Sequence, residues 1–131
     1  MTEPGEVVRG VWERFEARDW DEAADLLAED LVIDWPNTGE RFRGRDNFIA
    51  MNRNHPAADW HIQVRRIVAS GPDVAAEVLV PHADGLDACL GFYEVADGRI
   101  TTGREYWVEI RPQSIPDWRA AWTEPIPTNG P

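Results

Sequence analysis

Histidine is the side chain best suited to move protons near neutral pH, and this sequence has three of them. His82 ends an apolar, β-favouring run, where we expect the mouth of a pocket, so it is a candidate proton donor or acceptor. The alternative is a solvent-exposed turn histidine, because Pro81 and the Asp84-Gly85 pair are typical of a loop.

Other reactive groups fit no known motif. The spacing of His55, His61 and His82 matches no metal-ligand pattern, so the sequence predicts no metal site. Cys89, the only cysteine, lies between two apolar residues and is interpreted as a core residue rather than a nucleophile. The chain has neither a glycine-flanked serine nor a phosphate-binding glycine loop, and no cofactor is predicted.

The seven tryptophans are more than a core of this size needs. Four are assigned to packing of helices and tail: Trp12, Trp20, Trp118 and Trp122. Trp35, Trp60 and Trp107 are left to line a cavity, where indole rings can stack on a flat ligand. Ordinary core packing is the alternative for these three.

Composition limits the partners. Acidic residues outnumber basic ones 24 to 13, and the formal charge of -11 repels phosphate backbones and anionic lipids, so neither nucleic acid nor membrane is an expected partner. The first six residues lack the features of a secretion signal, and no apolar run approaches a membrane span, which favours a cytoplasmic protein.

The elements that must position these groups follow from hydrophobic periodicity and turn residues. Helical spacing covers 6–17, and Asp19 with Glu22 forms a capping box for a second helix. A short strand over 31–35 precedes a third helix that ends near Pro56. Four further strands are predicted at 60–69, 74–80, 86–95 and 99–110, with a tight hairpin at Asp97-Gly98.

This order predicts one α+β domain over 1–131, with a core of about 5–111 and a proline-rich tail over 112–131 that packs through Trp118 and Trp122. We expect a cone-shaped, curved, mostly antiparallel sheet wrapped around three N-terminal helices. A pocket for a small hydrophobic ligand would lie between sheet and helices.

Three segments of the chain carry a family likeness: 17–22, 26–30 and 32–36 with Gly44. The chain resembles the nuclear transport factor two-like superfamily, and within it the ketosteroid isomerase and SnoaL-like polyketide cyclase branch. The resemblance implies the fold described above. It leaves the activity open, because that superfamily contains isomerases, cyclases, epoxide hydrolases, dehydratases and binding proteins without catalysis.

The chain departs from the ketosteroid isomerase pattern at its catalytic positions. That pattern implies a tyrosine at Val11, an aspartate base at Trp35 and an aspartic acid at Leu90. An enolising isomerase needs a base and oxyanion donors, so we predict no steroid isomerase activity by that mechanism.

The resemblance also implies which side chains face the pocket. Glu105 is placed there as the first catalytic candidate, because a carboxylate beside Trp107 loses solvation and its pKa rises. The alternative is a structural ion pair in which Arg41 or Arg43, on the loop after the first strand, neutralises Glu105 or Glu40. Asn52 is a candidate polar helper, with a water-facing position as its alternative. The other predicted pocket residues are Val11, Glu40, Arg41, Met51, Leu90 and Phe92, and the family register places Ala88 on the same strand face as Leu90 and Phe92.

These features together favour an acid/base enzyme of the SnoaL-like type, a cyclase, isomerase or hydrolase acting on a small hydrophobic metabolite. The alternative is a non-catalytic ligand-binding or accessory protein with the same fold. Outward-facing Tyr106 and Val108 predict a homodimer through the outer face of the sheet.

Overall fold

The computed structural model describes residues 2–57, 59–111 and 114–127. Four helices are present in this part of the chain: α1 Pro4–Glu16, α2 Trp20–Ala24, α3 Arg45–Arg53 and α4 Asp117–Ala120. Six strands accompany them: β1 Leu27–Trp35, β2 Glu40–Arg43, β3 Gln63–Ser70, β4 Asp73–His82, β5 Gly85–Ala96 and β6 Arg99–Ile110. The predicted α+β fold is confirmed.

The strands form one open sheet in the order β2-β1-β6-β5-β4-β3. Every neighbouring pair is antiparallel except β1 with β6, which run parallel. The predicted tight hairpin between β5 and β6 is confirmed, because Asp97 and Gly98 both adopt positive φ, at 53° and 76°. The long β4-β5-β6 meander holds its strands in register apart from a shift between Glu94 and Val95 near the β5-β6 turn, and side chains otherwise alternate between its two faces.

Helix α1 closes one face of this sheet. Pro4 begins the helix, and the predicted apolar stripe is buried along it: Val7, Val8, Val11, Trp12 and Phe15. The helix contacts β3, β4, β5 and β6, while α3 contacts β1 and β2. Helices α1 and α3 thus stand over the same face of the sheet and leave room between them for a cavity.

The capping box predicted for the second helix is confirmed, because the Asp19 carboxylate accepts a hydrogen bond from the backbone N–H of Glu22. The helix is shorter than its apolar stripe suggested. Leu27, expected on the helix, already belongs to β1 and pairs with Ile100. The parallel pairing with β6 therefore extends β1 four residues toward the N-terminus, across a bulge between Leu27 and Val32.

Strand β2 was not among the predicted elements, and it pairs with β1 through residues such as Phe42 and Ile33. The prediction for the tail is wrong. In the tail, Trp118 and Trp122 are 71% and 80% exposed, so they do not anchor it by packing. Residues 112–113 and 128–131 of the predicted tail lie outside the described residues. None of the described helices is long and apolar enough to cross a membrane.

Candidate active site

A cavity of about 400 Å³ lies between the helices and the sheet. Its apolar lining comprises Trp12, Trp35, Met51, Ala57, Trp60, Ile62, Val80 and Trp107. Its polar lining comprises Asn37, Thr38, Asn52, His55, His82, Asp84 and Asp87. Since Asn37, Thr38, His55 and Asp84 are exposed while Trp12 and Trp60 are buried, the polar residues form the mouth and the indole rings the interior.

Tryptophan rings build the wall of this cavity. Trp35 and Trp107 meet edge to face with centroids 5.9 Å apart, and Trp107 meets Trp12 in the same way at 6.5 Å. Trp60 contacts Trp20 of α2, which packs in turn on Phe15. Trp35, Trp60 and Trp107 all lie on the lining, and Trp12, assigned to the core by sequence, lies on it as well.

Glu105 lies behind the wall rather than on it. Its side chain comes from β6, is only 2% exposed and does not line the cavity. Oε1 accepts a hydrogen bond from Trp35 Nε1 at 2.9 Å, and Oε2 accepts one from the Tyr93 hydroxyl at 2.6 Å. Glu105 is therefore a buried carboxyl held by two neutral donors.

Burial raises the pKa of Glu105 above its ordinary value, and the donors Tyr93, Trp35 and Trp107 lower it by a smaller amount. The Trp107 Nε1 is a buried donor without a hydrogen-bond partner among the described residues. Burial and the charge of Glu105 also raise the pKa of Tyr93 well above the usual range.

The ion-pair alternative for Glu105 is wrong. Arg41 binds Asp34 across the β1-β2 hairpin, with Nε to Oδ1 at 2.6 Å and Nη2 to Oδ2 at 2.9 Å. This bidentate pair lowers the pKa of Asp34 and raises the pKa of Arg41. Glu40 and Arg43 are exposed on the same strand. Neither Glu40 nor Arg41 is among the cavity-lining residues.

His82 ends β4 and lies on the cavity lining, with its side chain only 20% exposed. Nε2 is 3.2 Å from Oδ2 of Asp87 on β5, within ion-pair distance, although the alignment is too poor for a hydrogen bond. The antiparallel pairing of β4 with β5 brings this imidazole and this carboxylate together at the edge of the cavity. A histidine beside a carboxylate is the arrangement that orients a general base.

Two residues of α3 complete the lining opposite the sheet. Asn52 donates its side-chain amide to the carbonyl of Phe48 at 2.9 Å, which leaves Oδ1 as its acceptor atom for the cavity. Met51 lies beside it on the lining. His55 follows the helix, and its Nδ1 accepts the backbone N–H of Ala57 at 3.1 Å.

The predicted strand face of β5 is wrong. Leu90 and Phe92 are 39% and 49% exposed, and with Ala88 they lie opposite Tyr106, Arg104 and Val108 on the outer face. The inner face instead carries Cys89, Gly91 and Tyr93, of which Gly91 is paired with Glu105. Val11 is buried in the core and does not line the cavity. The predicted register of β5 was displaced by one residue. Because side chains alternate with a period of two, this displacement assigned every side chain of the strand to the opposite face of the sheet.

Sequence reasoning missed Tyr93 and Asp87. Tyr93 lies flat over Gly91 and beside Gly103, and a Cβ at either glycine would collide with its ring. These two glycines, on neighbouring strands, were the sequence signal that could have indicated the position of Tyr93, since glycine inside a strand marks a close approach of another group. Asp87 was visible only as an acidic residue five positions after His82.

Cys89 is fully buried, and burial together with the nearby charge of Glu105 raises the pKa of its thiol. It is a core residue, as the sequence predicted. Within the described residues, no three His, Cys, Asp or Glu side chains are grouped so that they could hold a metal ion.

Comparison with solved structures places the chain among proteins of one fold. A protein from Kribbella flavida, provisionally named a ketosteroid isomerase, is 30% identical over 96% of this chain and 91% of its own, with a TM-score of 0.86. IdmH of Streptomyces antibioticus, provisionally named a polyketide cyclase, is 22% identical over 81% of this chain and 92% of its own, with a TM-score of 0.72.

An LEH-like epoxide hydrolase of M. tuberculosis is 24% identical over 80% of this chain and 82% of its own, with a TM-score of 0.69. These last two likenesses establish the fold alone. No protein with a curated description matches the chain.

The model of the SnoaL-like domain family matches residues 8–103, from α1 into β6. This confirms the resemblance seen in the sequence. The protein belongs to the SnoaL-like domain family.

Proposed function

We propose that the protein is an acid/base enzyme that acts on a small, largely apolar molecule bound in the tryptophan-walled cavity. The observation that carries this proposal is the His82–Asp87 pair on the cavity lining, with 3.2 Å between Nε2 and Oδ2. Among the lining residues, this pair has the form of a base with an orienting carboxylate.

His82 takes the proton from the bound molecule in this proposal, and Asp87 orients the imidazole and stabilises its protonated form. With Nε2 toward Asp87, Nδ1 is the nitrogen that serves the substrate. The proton-transfer role expected for Glu105 passes to His82, because Trp35 and Trp107 separate Glu105 from the cavity. Glu105 then acts as a positioning residue that fixes Trp35 through its indole N–H.

The structural neighbours support the class of reaction. Isomerase, cyclase and epoxide hydrolase names all occur among proteins with this fold, and each of these reactions requires a positioned proton acceptor or donor. The closely superimposed Kribbella protein supports an isomerase-like reaction in particular, by a base other than the aspartate that Trp35 replaces.

A non-catalytic ligand-binding protein is the second candidate. The buried carboxyl favours it, because Glu105 is fixed by Trp35 and Tyr93 and is shielded from any occupant of the cavity. The structure supports part of each function. A cavity is present, as an enzyme needs, but the carboxylate behind its wall is engaged by two hydrogen bonds.

Exchange of a ketone α-proton with D₂O tests the proposal without knowledge of the natural substrate. The probe is 4-phenylbutan-2-one, whose aromatic ring suits the cavity, and NMR follows deuterium incorporation. We expect the wild-type protein to accelerate exchange, His82→Gln to lose about 100-fold or more, and Asp87→Asn to lose about 10-fold.

His61→Gln is the matched control, because His61 also pairs with a carboxylate, that of Glu16, at an exposed site outside the cavity lining. It should exchange the ketone as the wild type does. Equal exchange rates for His82→Gln and the wild type would contradict the proposed base. Saturable binding of the ketone with no accelerated exchange would favour the binding protein.

A further inference from the structure

The charges around the cavity are unevenly distributed. Its polar lining includes the carboxylates of Asp84 and Asp87, and no arginine is found on the described part of that lining. The chain has no lysine at all. Arginines line other depressions instead: Arg41 and Arg104 face a groove on the outer side of the sheet.

Some hydrogen-bond donors of the wall are engaged within the protein. Trp35 donates its indole N–H to Glu105, and the Trp107 N–H lowers the pKa of the same carboxyl. The amide of Asn52 donates to a backbone carbonyl. The cavity presents the rings of four tryptophans and the carboxylates of Asp84 and Asp87, and both kinds of group attract positive charge.

The two histidines of the lining do not make the cavity positive. Nδ1 of His55 accepts a backbone hydrogen bond, which requires that this nitrogen carry no proton. His82 is neutral when it serves as the base, so the His82–Asp87 pair keeps the negative charge of Asp87. On this one point the inference rests on the proposed function.

The cation beside the wall is Arg18, whose Cζ lies 3.4 Å from the centroid of the Trp60 ring. Arg18 does not line the cavity, and its guanidinium is bound to the carbonyls of Phe15 and Trp60 and is 3.9 Å from Glu16. Trp60 thus already stacks with an organic cation on one side.

We infer that the cavity selects an organic cation: an apolar, preferably aromatic molecule that carries a protonated amine. The apolar part would lie among Trp12, Trp35, Trp60 and Trp107, and the ammonium group would lie near the mouth, between Asp84 and Asp87. A carboxylate or phosphate group in the same place would meet two like charges without a compensating cation from the described lining.

Three probes of one shape test this inference: 4-phenylbutylamine, 4-phenylbutan-1-ol and 4-phenylbutanoate at pH 7. Calorimetry gives the dissociation constants, and the indole N–H signals of ¹⁵N-labelled protein show whether Trp35 and Trp107 sense the ligand. We expect the amine to bind about 10-fold more tightly than the alcohol, and the acid more weakly than the alcohol.

Asp84→Asn should reduce the preference for the amine about 3-fold and leave alcohol binding unchanged, since one exposed carboxylate contributes modestly. Glu77→Gln is the matched control. It removes the same charge from an exposed position on β4 outside the cavity lining, and it should leave the preference as it is.

Alcohol binding as tight as amine binding, tighter binding of the acid, no binding of the amine, or unshifted indole signals would each overturn the inference. Failure of the proposed function looks different. It would be seen as ketone exchange that is absent or independent of His82, whatever the order of the three affinities. An amine preference without exchange would keep the cation site and reject the base.

Discussion

Two opposing effects determine the pKa of Glu105. Removal from water favours the neutral carboxyl, while the Trp35 N–H and the Tyr93 O–H, each donated to one oxygen, favour the carboxylate. Burial is the larger effect, and the pKa of Glu105 is raised. Glu105 therefore holds the cavity wall in place, and its contribution to the stability of the fold decreases as pH rises.

The pH dependence of stability tests this balance through Glu105→Gln, which stays neutral at every pH. Below the ordinary carboxyl pKa of 4.5, Glu105 is protonated in the folded and unfolded chain alike, and its contribution to stability is complete. As pH rises through the higher folded pKa, that contribution is lost. The difference between the free energies of unfolding, wild type minus Glu105→Gln, should fall by about 1.4 kcal/mol for each pH unit between the unfolded and the folded pKa of Glu105.

Urea unfolding from pH 4 to pH 8 measures this difference. Glu77→Gln controls for the change in net charge, since its carboxyl is exposed on the outer face. A difference that rises with pH would mean that the donors outweigh burial and that Glu105 is held as a stabilised carboxylate.

At the scale of the elements, β5 and β6 are shaped around one tyrosine. Gly91 lies beneath the Tyr93 ring and Gly103 beside it, so the ring lies flat on the sheet and its hydroxyl reaches Glu105. A Cβ at Gly103 would be 2.7 Å from Cδ1 of Tyr93 and from Cδ1 of Ile33. The two glycines thus set the position of the Glu105 network and, through Trp35, of the cavity wall.

Gly91→Ala should displace Tyr93, because the added Cβ overlaps the ring and the hydroxyl. We expect a loss of about 2 to 4 kcal/mol in the free energy of unfolding, from overpacking and from the broken hydrogen bond to a buried carboxyl. Gly5→Ala in α1 is the control. Its Cβ would make an ordinary contact with Ile67 at 3.4 Å, and helix propensity favours alanine. Equal stabilities of the two variants would show that Tyr93 can move freely.

The elements that sequence predicted best are those with strong local signals. The Asp97-Gly98 turn and the Asp19–Glu22 cap depend on neighbouring residues, and both are found as expected. Strand β2 was missed because it is a four-residue edge strand of mostly charged residues, with Phe42 its one apolar side chain. Its pairing with β1, rather than its own composition, makes it a strand.

In the candidate site as well, features with a local sequence signal were predicted and features that depend on strand pairing were not. Large aromatic residues such as Trp35 and Trp107 predicted a cavity wall, since few other environments suit so many indoles. The contact of Tyr93 with Glu105 depends on the register between β5 and β6, which local sequence does not specify. Register taken from a distant family was displaced by one residue, and Leu90 and Phe92 were assigned to the wrong face.

At the scale of the whole molecule, apolar surface and net charge oppose each other. The outer face of the sheet exposes Leu90, Phe92 and Val108 on adjacent strands, and the Phe92 ring lies 6.3 Å from that of Tyr106. Isolated exposed apolar residues are normal, but a contiguous apolar face favours a contact surface. Each copy of the chain carries a formal charge of -11, so two copies repel one another at long range.

We propose that the protein forms a two-fold homodimer through this outer face and that salt strengthens the dimer. Repulsion between the two acidic chains is screened within about 10 Å at 0.1 M salt, whereas burial of Leu90 and Phe92 is not weakened by it. Light scattering at micromolar concentration should therefore show a larger dimer fraction at 0.3 M than at 0.02 M sodium chloride. Phe92→Glu should give a monomer at both, while Ile115→Glu, which changes an exposed apolar residue of the tail, should dimerise as the wild type does. A wild-type monomer at both salt concentrations, or a Phe92→Glu dimer, would contradict a contact through this face.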